Sequence, residues 1–179
     1  QEACERTQGA MASVLGGDPD VIREICAECD IDVANYNCPG QIVVSGESSG
    51  VARAIDILKG RGFRKVVPLK VAGAYHSRLM RSAESALQDV VAAAPMSRPT
   101  VPLAQNVVGG LIEDVETIRR NVVRQVSGSV RWEECVRAML NIGADTIVEF
   151  GPGDVLCKLT RRISRETKVI NVSGASDIG

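Results

Sequence analysis

Apolar and polar residues follow two different rhythms along this chain. From Gly9 to Ala72, a short apolar run over Ala10 to Leu15 gives way to a segment opened by Asp18-Pro19, in which Val21, Ile22, Ile25 and Cys26 recur at helical spacing. Two extended runs follow, Ile31 to Tyr36 and Gln41 to Ser45. Between them Asn37-Cys38-Pro39-Gly40, a tetrad of strong turn formers, predicts an antiparallel hairpin. A second helix is predicted over Val51 to Lys59, stopped by Gly60 and Gly62, and Lys65 to Val71 alternates as a last strand. The order is βαββαβ, the ferredoxin-like pattern.

Beyond residue 73 helices and strands alternate. Leu79 to Ala93 reads as a long amphipathic helix, Val101 to Ala104 as a short strand, Val115 to Val126 as a helix capped by Asp114, and Trp132 to Ile142 as another helix. Thr146 to Phe150 predicts a buried strand running into Gly151-Pro152-Gly153. A helix over Val155 to Ile163 and a strand over Lys168 to Val172 close the chain. This half predicts part of a parallel α/β sheet. The polar start, Gln1 to Gln8, reads as the tail of a helix. The expected organisation is therefore 1–8 as the end of a large-domain helix, 9–72 as a ferredoxin-like subdomain, and 73–179 as the carboxyl-terminal part of the large α/β domain.

Composition narrows the function classes. With 179 residues, 45% of them hydrophobic, the chain can bury a real core. Its 21 Lys and Arg against 22 Asp and Glu leave no electrostatic footprint for nucleic acid or an anionic membrane. No apolar stretch approaches the ~18 residues of a membrane span and no basic-then-apolar signal opens the chain, so a soluble, cytoplasmic protein is expected. Six cysteines at irregular spacing predict free thiols. Cys26-Ala27-Glu28-Cys29 has the C-x-x-C form of redox and zinc sites. It lacks a second pair or a His at zinc spacing and sits at a helix end, so chance placement is preferred and no metal is expected.

Three segments carry candidate chemistry. His76 is the single histidine, so any His-dependent proton transfer must pass through it; the alternative is a capping or packing residue. Gly46-Glu47-Ser48-Ser49-Gly50 satisfies G-x-S-x-G between a strand and a helix, the setting of a nucleophile elbow. Against Ser48 as nucleophile, the preceding strand belongs to a hairpin, whereas an elbow needs the carboxyl edge of a parallel sheet. Only 27 residues separate Ser48 from His76, and the segment reads as a helix start with Ser as its cap. Gly151-Pro152-Gly153 reads either as an anion cradle at a helix amino terminus or as a tight turn. Asp154 in the first turn disfavours the cradle.

Six stretches, in order and at matching spacing, resemble malonyl-CoA:acyl carrier protein transacylases and, more broadly, the acyltransferase domains of fatty acid and polyketide synthesis. They are Gly9 to Gly16, Asn35 to Gly46, Gly73 to Met80, Gln105-Asn106-Val107, Val130-Arg131-Trp132 and Glu149 to Leu156. The resemblance covers the carboxyl-terminal half to two-thirds of such enzymes. It implies an α/β-hydrolase-like domain with an inserted ferredoxin-like subdomain. It also implies ping-pong transfer of a malonyl group from coenzyme A, through an active-site Ser, to the phosphopantetheine thiol of acyl carrier protein, with the coenzyme A thioester as substrate and no cofactor. His76 falls on the family's general base, Gln125 on the residue whose backbone carbonyl orients it, and Tyr75 and Asn37 on the substrate pocket. An aromatic residue at the Tyr75 position tends to accompany malonyl use. The family's G-H-S-x-G nucleophile, its malonyl-pairing arginine and its oxyanion loop have no counterpart here, so the resemblance implies a fragment that works with an amino-terminal segment of the same enzyme. The alternatives are a non-catalytic carrier-protein-binding remnant and a Ser hydrolase using Ser48.

Overall fold

The computed structural model describes residues 2–177. It opens with a short helix, α1 (Glu2–Glu5), that buries Ala3 and Cys4. Gln1, where the predicted helix tail starts, lies outside the described residues. The βαββαβ order holds through β1 (Gly9–Leu15), α2 (Pro19–Glu28), β2 (Asp32–Cys38), β3 (Gln41–Glu47), α3 (Ser48–Gly60) and β4 (Lys65–Pro68). These strands make one antiparallel sheet in the spatial order β2-β3-β1-β4.

Strand alternation builds two cores from this sheet. Ala12, Val14, Val33, Ile42, Val44 and Val66 pack with Ile22 and Ile25 of α2 and with Val51, Ala54 and Leu58 of α3. Met11, Ala34 and Val43, one residue out of phase, form a smaller cluster on the other face. The helix ends follow from local chemistry. After α2, Asp30 takes the left-handed conformation (φ 55°) and the Ile31 N–H donates to the Cys26 carbonyl at 2.9 Å. After α3, Gly62 (φ 86°) does the same, with Phe63 N–H donating to the Leu58 carbonyl at 3.0 Å. Gly60, predicted as a stop, is the last helical residue. The strand predicted to Val71 runs only to Pro68; Leu69 N–H still donates to the Met11 carbonyl at 2.9 Å, so Pro68 stands where its missing N–H faces the open edge of the sheet. The hairpin turn narrows to Pro39-Gly40, since Cys38 still pairs with Gln41. Ser48 does not cap α3. The helix begins at Ser48, with Glu47 preceding it and no side-chain cap, because the Ser48 hydroxyl donates to the Gln8 carbonyl instead.

In the second half a 3-10 turn, Arg78–Met80, leads into α4 (Arg81–Ala93), so the helix predicted from Leu79 has a distinct first turn. The strand predicted near Val101 is β5 (Leu103–Gln105), paired antiparallel with β6 (Gly110–Ile112). Three-residue strands are too short to show alternation, which is why β6 was not anticipated. Next is α5 (Val115–Arg124), capped as predicted by Asp114, whose carboxylate accepts from Thr117 N–H at 2.8 Å. Then come α6 (Trp132–Asn141), β7 (Thr146–Phe150), α7 (Val155–Ile163) and β8 (Lys168–Val172). Both α6 and α7 pack against β2. β7 and β8 are parallel, with α7 as their crossover. The prediction that Thr146–Phe150 is buried is corrected: Phe150 is 75% exposed, because among the described residues this parallel pair has no third strand beside it. All six cysteines are free and buried, and burial pushes the Cys26 thiol up to about 12.

Close approach at Gly9 gives a stability test. A Cβ there would lie 2.5 Å from the Ala74 backbone nitrogen, whereas a Cβ on Gly60 would meet open space. Gly9→Ala should cost about 1–3 kcal/mol, read as a lower denaturation midpoint. Gly60→Ala, inside a helix, should hold or raise that midpoint.

Candidate active site

The segment carrying His76 is pressed into place by what glycine omits. A Cβ on Gly73 would sit 2.5 Å from the Cys4 sulfur, so the chain there runs directly against α1, just as Gly9 admits Ala74. Ala74 and Ser77 are fully buried. The Ser77 hydroxyl donates to the Ala74 carbonyl at 2.6 Å and accepts from Leu79 N–H at 3.3 Å, which ties together the two sides of the Tyr75-His76 step. Between them His76 adopts φ 56°, in the left-handed region. For a residue with a Cβ this costs roughly 1–2 kcal/mol and persists only where the surroundings over-determine it.

The imidazole is held through one nitrogen. Nδ1 lies 2.9 Å from the Gln125 carbonyl and 3.2 Å from the Gly128 carbonyl. Both partners can only accept, so Nδ1 carries the hydrogen and the neutral ring has its lone pair on Nε2. Nε2 has no hydrogen-bond partner among the described residues. Gln125 is the C-terminal cap of α5, where helix carbonyls lack internal partners and the helix dipole is negative. A proton arriving at Nε2 is therefore stabilised from the far side of the ring.

The loop presenting these carbonyls is fastened on three sides. Gly128 N–H donates to the Arg124 carbonyl at 2.8 Å, and the Ser127 hydroxyl donates to Glu84 of α4. The Ser129 hydroxyl donates to the Val33 carbonyl at 2.6 Å. Val130 N–H donates to the Ala34 carbonyl, and Tyr36 N–H donates to the Val130 carbonyl, each at 2.8 Å. At Gly128 a Cβ would meet the Arg124 carbonyl and Val107 at 2.9 Å, so the loop turns there only as glycine.

The other candidates stand apart from this grip. Tyr75 is 37% exposed, with its hydroxyl beside the Cys4 thiol, and that hydrogen bond is the main cause holding the phenol above its ordinary pKa. Asn37 lies half-buried in the bulge of β2 between Tyr36 and Cys38, and no hydrogen bond joins it to His76 among the described residues. The Ser48 hydroxyl is committed to the Gln8 carbonyl at 2.8 Å, at the end of an antiparallel strand. The glycines of its G-x-S-x-G are packing residues: Cβ atoms on Gly46 and Gly50 would collide with Ile31. At Gly151-Pro152-Gly153 the N-terminus of α7 already holds an anion. The Glu149 carboxylate accepts from Leu156 and Cys157 N–H at 3.0 and 2.8 Å. Burial works to raise the Glu149 pKa, and these two N–H bonds outweigh it, so the group is held below its ordinary value. No cluster of His, Cys, Asp or Glu among the described residues could hold a metal ion, and no helix among them is long and apolar enough to cross a membrane.

Known proteins share this fold. The acyl transferase domain profile matches residues 3–177. The chain belongs to the acyl transferase domain family. It is 34% identical over 182 residues to the malonyl CoA-acyl carrier protein transacylase of Bacillus subtilis (strain 168), covering 99% of this chain and 57% of the relative. The corresponding Staphylococcus aureus (strain COL) protein is 34% identical over 175 residues, 95% of this chain and 57% of its own length. Among solved structures, a malonyl-CoA:acyl carrier protein transacylase from Xanthomonas oryzae pv. oryzae superposes with a TM-score of 0.93 at 37% identity, over 99% of this chain and 58% of that one. A type II PKS acyl-carrier protein in complex with its malonyl-transacylase gives 0.91 at 33% identity, over 99% and 60%. The chain thus spans 57% of the length of these curated relatives.

Sequence reasoning had no access to two parts of this candidate site. The Gly128 carbonyl is a backbone group with no side-chain signature, and the left-handed φ of His76 falls on a residue type that gives no turn signal. One measurement checks the geometry. Because His76 is the only histidine, ¹⁵N-histidine labelling reports one ring. Its neutral form should show the Nδ1–H tautomer with Nε2 unprotonated; the opposite tautomer would contradict the two-carbonyl grip.

Proposed function

We propose that this chain carries the general-base half of a cytoplasmic malonyl-CoA:acyl carrier protein transacylase. The observation that supports this most is the geometry of His76: Nδ1–H is committed to two carbonyls at a helix C-terminus, which leaves Nε2 as a free base. In this reading a serine on an amino-terminal segment loses its proton to Nε2 as its oxygen attacks the malonyl thioester. The carbon–sulfur bond breaks and coenzyme A leaves as the thiol, taking the proton back from the imidazolium. The phosphopantetheine thiol of acyl carrier protein then reverses these steps on the malonyl-serine ester. Gln125 acts through its backbone carbonyl, in the place that a carboxylate fills in Ser-His-Asp triads. No cofactor enters.

The same reading makes residues 9–72 a ferredoxin-like subdomain inserted into an α/β-hydrolase-like domain. Two observations support an amino-terminal segment completing that domain. The chain spans 57% of its curated relatives, and Val148, Phe150, Val155 and Ile170 around the parallel pair are 40%, 75%, 64% and 36% exposed. Parallel sheets are covered on both faces, so these apolar positions suit further strands and helices. Tyr75 and Asn37 are assigned to the acyl pocket. A ring beside the base would crowd a substituent on the malonyl α-carbon, at a typical cost of ~1–3 kcal/mol per added methyl.

The test is malonyl transfer to acyl carrier protein by this chain with and without the amino-terminal segment. Activity should require the segment and should survive Ser48→Ala. Transfer by this chain alone that Ser48→Ala abolishes would overturn the reading. In the completed enzyme His76→Ala should lower kcat on the order of 10²-fold or more, and Gln125→Ala far less, since its carbonyl remains.

Acyl choice is checked separately, by kcat/KM for malonyl-CoA and methylmalonyl-CoA. Tyr75→Ser should narrow the preference for malonyl; an unchanged ratio would remove Tyr75 from the pocket.

A further inference from the structure

We propose that Asp32 is a positioning residue for His76. Its carboxylate accepts from the backbone N–H of Arg78 at 2.8 Å, two residues beyond the left-handed His76. The Arg78 guanidinium folds back onto the same carboxylate, with Nε at 3.3 and 3.2 Å from its two oxygens and Nη2 at 3.0 Å, and also pairs with Asp30. Asp32 is the first residue of β2, and the next residues of that strand hold the other side of the site. The Val33 carbonyl accepts from the Ser129 hydroxyl, and the Ala34 carbonyl and Tyr36 N–H pair with Val130. One stretch of strand, Asp32 to Tyr36, thus fixes both the backbone that carries the imidazole and the loop that carries its two acceptors.

The physical reason to separate this from an ordinary surface ion pair is where each bond acts. Arg78 and Asp32 are 43% and 29% exposed at their side chains, and exposed pairs add little to stability. The Arg78 N–H bond restrains the segment 76–78, in which φ 56° at His76 must be held against its intrinsic cost. Losing Asp32 should therefore leave the fold largely intact and free the His76 segment to relax away from the Gln125 and Gly128 carbonyls. The guanidinium is secondary: Arg78→Ala keeps the backbone N–H and so keeps the restraint.

The catalytic consequence rests on the acyltransferase reading, and the structural one does not, so two readouts are needed. In this chain labelled with ¹⁵N-histidine, Asp32→Ala should replace the single Nδ1–H tautomer of His76 with an exchange-averaged pattern, at a denaturation midpoint close to wild type. Asp32→Asn, whose amide oxygen can still accept the N–H, should keep most of the wild-type pattern, and so should Arg78→Ala. In the enzyme completed by the amino-terminal segment, Asp32→Ala should lower kcat for malonyl transfer on the order of tenfold with KM nearly unchanged, as expected for a misaimed base. If Asp32→Ala does not fold, Asp32→Glu, which moves the carboxylate by one methylene, should give the same averaging. A wild-type ring spectrum in a folded Asp32→Ala or Asp32→Glu protein overturns the proposal. A changed spectrum in a completed enzyme whose wild type transfers no malonyl group upholds the positioning role and overturns the acyltransferase reading.

Discussion

A single N–H sets the direction of the chain's one histidine. Once Nδ1 of His76 is committed to the Gln125 and Gly128 carbonyls, the one nitrogen left free on the ring is Nε2, and its direction is fixed. The ring reaches those carbonyls from a backbone at φ 56°, a conformation costing roughly 1–2 kcal/mol. Intramolecular hydrogen bonds contribute about 0.5–1.5 kcal/mol each. The bonds that depend on this conformation, Nδ1 to Gln125, Ser77 to Ala74 and Arg78 to Asp32, together contribute an amount of the order of the strain. The packing that excludes alternatives comes from Gly9 and Gly73, where any side chain would push the segment outward.

Neutral carbonyls stabilise an imidazolium less than a carboxylate would. Two features offset this difference here: there are two acceptors rather than one, and they lie at the negative end of α5. An uncharged partner suits the proposed reaction. Both leaving and entering groups are thiols with ordinary pKa values near 8.5, far closer to neutrality than the amines that a Ser-His-Asp protease must expel. In the proposed enzyme a base that takes up and returns one proton serves both directions of a thioester exchange.

The parts of the structure legible in the sequence are those governed by side-chain period and by local caps. The βαββαβ order followed from the apolar run at Ala10 to Leu15, the extended runs at Ile31 to Tyr36 and Gln41 to Ser45, alternation from Lys65 and helical spacing at Val21 to Cys26, and the Asp114 cap from one residue's chemistry. What stayed hidden depends on partners distant in sequence. The glycines of Gly46-Glu47-Ser48-Ser49-Gly50 match an elbow pattern that the hairpin already argued against, but their function, clearance for Ile31, is visible only once β2 and α2 are placed. At the Gly151 turn, read as a tight turn rather than an anion cradle, the helix N-terminus holds the Glu149 carboxylate of the strand just before it, a partner no local signal marks. Residues 32 and 78 lie 46 apart, and nothing local marks an Asp at a strand start as the anchor of a histidine segment.

The two halves of the chain differ in how much of their own surface they cover. The antiparallel sheet closes over a continuous core from Ala12 to Val66, while the parallel pair β7 and β8 leaves Phe150 and Val148 open to solvent. His76 lies in the second half, yet the groups that aim it are tied to the first. The 125–130 loop hangs from Val33, Ala34 and Tyr36, and the segment after His76 hangs from Asp32. Because α6 and α7 also pack on β2, that strand bears load from both sides and has little freedom to shift. The imidazole is therefore oriented by the part of the chain with a complete core, and its direction does not depend on whatever covers the parallel pair. In the proposed enzyme the amino-terminal segment would meet an imidazole already aimed, so that assembly has only to bring the serine to Nε2.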